Sequence, residues 1–237
     1  MPPALPSRPL SYTTAPSVLP YALRFHPYAP SATSQVHHTH RLCVGAAVIS
    51  TPSSPDRSAR EKALPHRWEL PGGGAESRDG DALAAAAREL WEETGLRAAR
   101  FAALVGAAAT AVPGDQAWGL SGGGVGVGVG VAESVDVVVD VVAGGRRDAW
   151  RKYTYLVEIE TEAETEAGGR ADVVADVVVD PEEHEAFVWA TEDEARAGRC
   201  GDVVLDWTSE NQRLEVLRAF EIAKKGRRWS DQRGSAR

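Results

Sequence analysis

The chain has 237 residues, 43% of them hydrophobic, and a formal net charge of −8. That is enough apolar material for one sizeable core or two small ones. The acidic balance excludes broad binding to nucleic acid or to an anionic membrane, because both need basic surface. With only Cys43 and Cys200, a disulfide framework and a cysteine zinc site are excluded too, and a reducing compartment suits the chain.

Residues 1–35 are rich in Pro, Ser, Thr and Ala and are expected to form a disordered leader. No acidic residue precedes Asp56, whereas Arg8, Arg24 and Arg41 are present, a bias weakly reminiscent of an organelle address. A cytoplasmic location is the main expectation. No apolar run has the length needed to span a bilayer.

Residues 36–226 carry the element signals of one folded domain. Arg41 to Ser50 is apolar and β-compatible. Thr51 to Lys62 is polar and proline-interrupted, hence a loop, and His66 to Leu70 reads as a short strand stopped by Pro71 and Gly72–Gly74. Asp81 to Thr94 is a helix that Asp81 or Asp79 can cap, with Gly95 after its last turn and a buried stripe of Leu83, Ala86, Ala87 and Leu90. A strand follows over Phe101 to Ala109.

Residues 112–148 are a low-complexity insertion of glycine and valine, read as a long surface loop. Arg151 to Glu160 alternates Tyr153, Tyr155, Val157 and Ile159 on one face of a strand, and Glu185 to Ala190 supplies the last strand. Thr191 with Glu194 forms a capping box for a short helix ending near Gly198. Ser209 with Gln212 forms another, opening a helix to about Lys225 that Gly226 stops, with Val216, Leu217, Phe220 and Ala223 as its stripe. Residues 227–237 read as a frayed basic tail.

The chemistry concentrates between Leu70 and Leu96. Glu89, Glu92 and Glu93 stand at i, i+3 and i+4 and share one helix face, opposite the apolar stripe. Like charges at that spacing repel, and a hard divalent cation such as Mg²⁺ (or Mn²⁺) would relieve the repulsion with carboxylate oxygens as ligands. The glycines at 72, 73 and 74 let backbone N–H groups approach a phosphate closely. Arg88 can orient a neighbouring carboxylate.

These residues resemble the box of the Nudix hydrolases. Gly74, Arg88, Glu89, Leu90, Glu92, Glu93, Gly95 and Leu96 match it, and Trp68 and Leu70-Pro71-Gly72-Gly73 are common before it. The resemblance implies an α/β/α sandwich with a mixed sheet. It also implies metal-dependent hydrolysis of a nucleoside diphosphate linked to another moiety, with Glu89, Glu92 and Glu93 as metal ligands. In two respects the chain departs from the pattern. Gly80 stands where the box has its first glutamate, a residue that mainly braces the loop, so Asp79 or Asp81 is expected to substitute. No clear strand lies between Ser50 and His66, and Ser58-Ala59-Arg60 is its only remnant.

A general base is also needed. By resemblance to diadenosine polyphosphate hydrolases, Glu183 beside His184 is the candidate, with Glu182 and Glu185 as alternatives. The expected partner is a small-molecule nucleotide, whose identity the sequence does not assign. The alternative function is a non-catalytic Nudix-like module that binds a nucleotide or a protein. Trp189 is expected in the core rather than stacked on a base, and Cys43 is expected to be buried and inert.

Overall fold

The structure, a computed structural model, describes residues 9–26, 41–50, 57–60, 67–109, 142–143, 146–147, 150–160, 177–179 and 186–234. Its strands are β1 (Thr13–Thr14), β2 (Arg41–Ser50), β3 (Arg57–Arg60), β4 (Gly72–Gly74), β5 (Ala98–Ala109), β6 (Val142–Ala143), β7 (Arg146–Arg147), β8 (Trp150–Ile159), β9 (Val188–Thr191), β10 (Arg199–Cys200) and β11 (Val203–Val204). Three α-helices accompany them: α1 (Ala82–Thr94), α2 (Glu192–Ala197) and α3 (Glu210–Gly234).

A seven-stranded sheet in the order β1-β5-β8-β2-β3-β9, with β4 also paired to β2, forms the middle layer. β2 and β8 are parallel neighbours and β5 runs antiparallel to β8, so the sheet is mixed, as expected. Alternation along the strands feeds two cores. Val44, Ala46 and Val48 of β2 join Tyr153, Tyr155 and Val157 of β8 and the apolar stripe of α1 on one face. On the other, Ala47 and Leu156 join Val216, Leu217, Ala219 and Phe220 of α3, together with Trp68 and Trp207. The result is the α/β/α sandwich.

Local signals account for the helices. Asp81, rather than Asp79, caps α1 by accepting from Ala84 N at 2.8 Å, and Gly95 ends the helix at φ 70°. The Thr191–Glu194 capping box opens α2 with both reciprocal bonds made.

Several expectations are corrected. Residues 9–26, within the expected disordered leader, pack on the α1 face: β1 pairs with β5, and Val18 is completely buried. Between Ser50 and His66 there is a strand after all. β3, which contains Ser58-Ala59-Arg60, pairs antiparallel with both β2 and β9. In place of the short strand at 66–70, Trp68 bridges Trp207, and the glycines taken as its stop form β4. Glycine has low strand propensity, but pairing with a buried central strand overrides it. Helix α3 continues through Gly226 to Gly234, since an interior glycine costs only about 1 kcal/mol and does not by itself end a helix. Most of the 112–148 insertion lies outside the described residues; within it β6 and β7 pair with each other.

Candidate active site

The carboxylate end of α1 meets β4. Pairing of Gly72, Gly73 and Gly74 with Gly45, Val44 and Cys43 brings β4 against the helix. A Cβ at Gly73 would sit 2.7 Å from Glu89 Oε1 and push that carboxylate aside. The absence of a side chain at Gly73 is what gives the Glu89 carboxylate its place. Gly72 N donates to Glu93 Oε2 at 2.7 Å, and Arg88 Nη2 donates to the Gly74 carbonyl at 3.0 Å. One N–H expected to face a phosphate, that of Gly72, thus braces Glu93 instead, while the Gly74 carbonyl braces Arg88 and Gly73 makes room for Glu89.

Arg88 is the hub. Its Nε and Nη2 donate to the two Asp79 oxygens at 2.7 and 3.0 Å. Nη1 donates to Glu92 Oε2 at 2.7 Å, and Nη2 lies 3.0 Å from Glu89 Oε1. Burial opposes the charge on Arg88, and its bonds to Asp79 and Glu92, with the Glu89 charge, outweigh that and raise its pKa. Asp79 also accepts from Glu76 N at 2.6 Å. Of the two residues expected to stand in for the missing box glutamate, Asp79 is the one that braces the loop.

Burial pushes the Glu89 carboxyl up to about 7; Arg88 pulls it down, and the charges of Glu93 and then Glu92 push it up further. Glu93 is buried, while Glu92 is half-exposed and also pairs with Arg78 at 3.3 Å. All three lie at one end of α1, yet among the described residues no group of three carboxylate, His or Cys side chains is arranged to hold a metal ion. The donor set nonetheless fits a hard divalent cation: oxygens only, mutually repelling, with Glu89 in a cradle that a Cβ would fill. Glu183, with Glu182 and Glu185, lies outside the described residues.

The sequence model of the NUDIX domain matches residues 55–208, well over half the chain. The chain belongs to the Nudix family. Its activity is therefore of the pyrophosphohydrolase type, and Nudix hydrolases generally use divalent metal ions. No curated protein matches the sequence. Among solved structures, this Nudix chain is similar to a NUDIX hydrolase from Nitrosomonas europaea, at 13% identity and TM-score 0.45, over 78% of this chain and 91% of that one. A C. elegans Ap4A hydrolase aligns at 16% identity and TM-score 0.45, over 78% and 98%. The NUDIX domain of Shewanella oneidensis NrtR, solved with ADP ribose, aligns at 12% and 0.42, over 78% and 89%.

Trp189 lies in the core of the Nudix fold, as expected. Cys43 is half-buried, with its thiol pushed up to about 11, chiefly by burial. Sequence reasoning missed the polar group on the opposite face of the sheet: Lys152, Thr154, Gln212 and Glu215. A signal was present. Lys152 and Thr154 alternate with the apolar Tyr153, Tyr155 and Val157, so they share the other face of β8.

Proposed function

We propose that this chain hydrolyses a phosphoanhydride bond in a nucleoside diphosphate linked to another moiety, with Glu89, Glu92 and Glu93 holding Mg²⁺ or Mn²⁺. The observation that carries this reading is the Arg88 hub, which gathers Glu89 and Glu92 at the end of α1 where Glu93 is anchored to Gly72. A bound divalent ion would neutralise the diphosphate and acidify water.

The chain's own residues do the positioning. Arg88 orients Glu89 and Glu92 and is itself fixed by Asp79. Glu93, tied to Gly72 N, keeps β4 at a constant distance from α1. Burial, and after it the charges of Glu93 and Glu92, work against the negative charge of Glu89, and a cation there would relieve both. The proton from the attacking water is assigned to Glu183, with Glu182 and Glu185 as alternatives. The substrate is a small nucleotide.

The test is phosphate release from purified protein against ADP-ribose, dinucleoside polyphosphates, nucleoside triphosphates and nucleotide sugars, with and without Mg²⁺, alongside Glu93→Gln. A glutamine oxygen can still accept from Gly72 N, so the fold should persist while the charge is lost. Turnover should require Mg²⁺ and fall by at least about 100-fold in the variant. Near wild-type turnover by Glu93→Gln would sink the assignment. No turnover of any compound by the folded wild type would favour the binding module.

A further inference from the structure

The loop before α1 lays two consecutive side chains on successive turns of that helix. It is closed on itself: Asp79 N donates to the Glu76 carbonyl at 3.0 Å, and Glu76 N donates to Asp79 Oδ2 at 2.6 Å. Asp79 grips Arg88, and its neighbour Arg78 reaches Glu92, one turn farther along α1. Glu92 thus has an arginine on each oxygen. Arg88 Nη1 donates to Oε2 at 2.7 Å, and Arg78 Nη2 donates to Oε1 at 3.3 Å.

The two arginines are held very differently. The Arg88 side chain is 12% exposed and is shared among Asp79, Glu89, Glu92 and the Gly74 carbonyl. Its departure would strand Asp79 as a buried charge without a counter-ion, which is strongly unfavourable. Arg78 is 55% exposed, its contact with Glu92 is the longer one, and its Nε keeps a second partner, Glu76 Oε2, at 2.8 Å. Exposed pairs of this kind contribute little, because side-chain entropy and water offset most of the attraction. Arg78 can therefore release Glu92 and still be paired, whereas Arg88 cannot. A guanidinium beside Oε1 also stands where a cation held by Glu92 would have to approach. A hard dication carries twice its charge and binds carboxylate oxygens more closely, so it wins that competition.

We propose that Arg78 is a displaceable counter-ion of the metal site: it holds Glu92 Oε1 until a divalent ion binds, then yields that oxygen and keeps Glu76. Oε1 is accordingly the Glu92 oxygen offered to the metal, while Oε2 stays with Arg88. Arg78 is a positioning residue, and the exchange sets the metal concentration that the site needs. The apparent affinity for the ion is reduced in proportion to the fraction of time that Oε1 is free. The positive charge of Arg78 adds a repulsion that salt screens. This rests on the hydrolase reading for Glu89, Glu92 and Glu93 as the metal ligands.

The test is Mn²⁺ binding to the full chain at low ionic strength, followed by loss of the free-ion electron paramagnetic resonance signal, with no nucleotide present. Wild type is compared with Arg78→Gln and Arg24→Gln. Arg78 makes only exposed pairs, so its replacement leaves the core untouched. Arg78→Gln should bind Mn²⁺ at least about threefold tighter than wild type, because Oε1 is then always free. Arg24→Gln removes an equal charge from the exposed position bridged to Asp81, away from the three glutamates, and should change the affinity by less than about 1.5-fold. Equal or weaker binding by Arg78→Gln, or equal tightening by Arg24→Gln, would overturn the proposal while Mn²⁺ binding itself upholds the metal reading. Folded wild type and Arg78→Gln that both bind no Mn²⁺ would sink the metal reading, and this inference with it.

Discussion

Arg88 sits at the centre of the candidate site because three acidic side chains and one carbonyl converge on it. Asp79 is the innermost of its partners, with its side chain 3% exposed, and it stands one residue before Gly80. Gly80 has φ +79°, a left-handed conformation that costs other residues about 1–2 kcal/mol. A Cβ there would meet nothing within 4 Å, so a glutamate at 80 would gain little packing to offset that strain. Asp79→Ala should therefore cost about 1–3 kcal/mol, because it leaves a half-buried guanidinium short of an acceptor. It should also lower kcat and raise the Mg²⁺ concentration needed for half activity, as Glu89 and Glu92 lose their fixed neighbour. Adding Gly80→Glu should not restore either quantity. Melting curves and Mg²⁺ titrations of turnover check both expectations, and full rescue by the glutamate would show that Asp79 does not carry the bracing role.

At the scale of elements, β4 separates two effects that adjacent glycines would otherwise confuse. A Cβ at Gly72 would lie 2.1 Å from the carbonyl oxygen of Val44, a backbone atom of a central strand. At Gly73 the obstacle is the end of the Glu89 side chain, which can move. Gly72→Ala should break the β2–β4 ladder and melt well below wild type or fail to fold. Gly73→Ala should melt within a few degrees of wild type while turnover falls at least about tenfold, because Glu89 is pushed from its cradle. Similar melting temperatures for the two variants would refute this account. The same strand marks where sequence legibility ends. Helix α1 was readable because its cap, its stripe and Gly95 are all local signals. β4 and β3 were not, because Gly72–Gly74 and Arg57–Arg60 become strands only through pairing with the distant β2 and β9. For the same reason Glu89, Glu92, Glu93 and Arg88 could be found from helical spacing, whereas Lys152 and Thr154 reach Gln212 and Glu215 only through the β8–α3 packing.

For the whole molecule, the segment over residues 9–26 ties the candidate site to the sheet. Its composition gave no sign of this, since Tyr12, Ala15, Val18 and Tyr21 follow neither a helical nor a strand period. Their value is positional. Tyr12 meets Phe101 edge-on at 4.8 Å, and Phe101 meets Tyr155 in the same way at 5.6 Å. The Tyr155 hydroxyl donates to the Tyr21 carbonyl at 2.8 Å. Farther along, Phe25 N donates to Gly80 O at 2.9 Å and Ala82 N donates to Leu23 O at 2.8 Å, so the segment holds the entry to α1 from both sides of its cap. Deleting residues 1–26 would expose the Val18 site, worth about 1.5–3 kcal/mol. It would also leave the Tyr155 hydroxyl without its acceptor, at about 1–3 kcal/mol. At about 2–4 °C per kcal/mol for a chain of this size, the melting temperature should fall by at least about 5 °C. Turnover measured well below the new midpoint should fall as well, because the start of α1 loses its two backbone tethers while Arg88 and the glutamates remain. A truncated chain that melts within about 2 °C of the full one, with unchanged turnover, would show that the segment rests on the domain without supporting it.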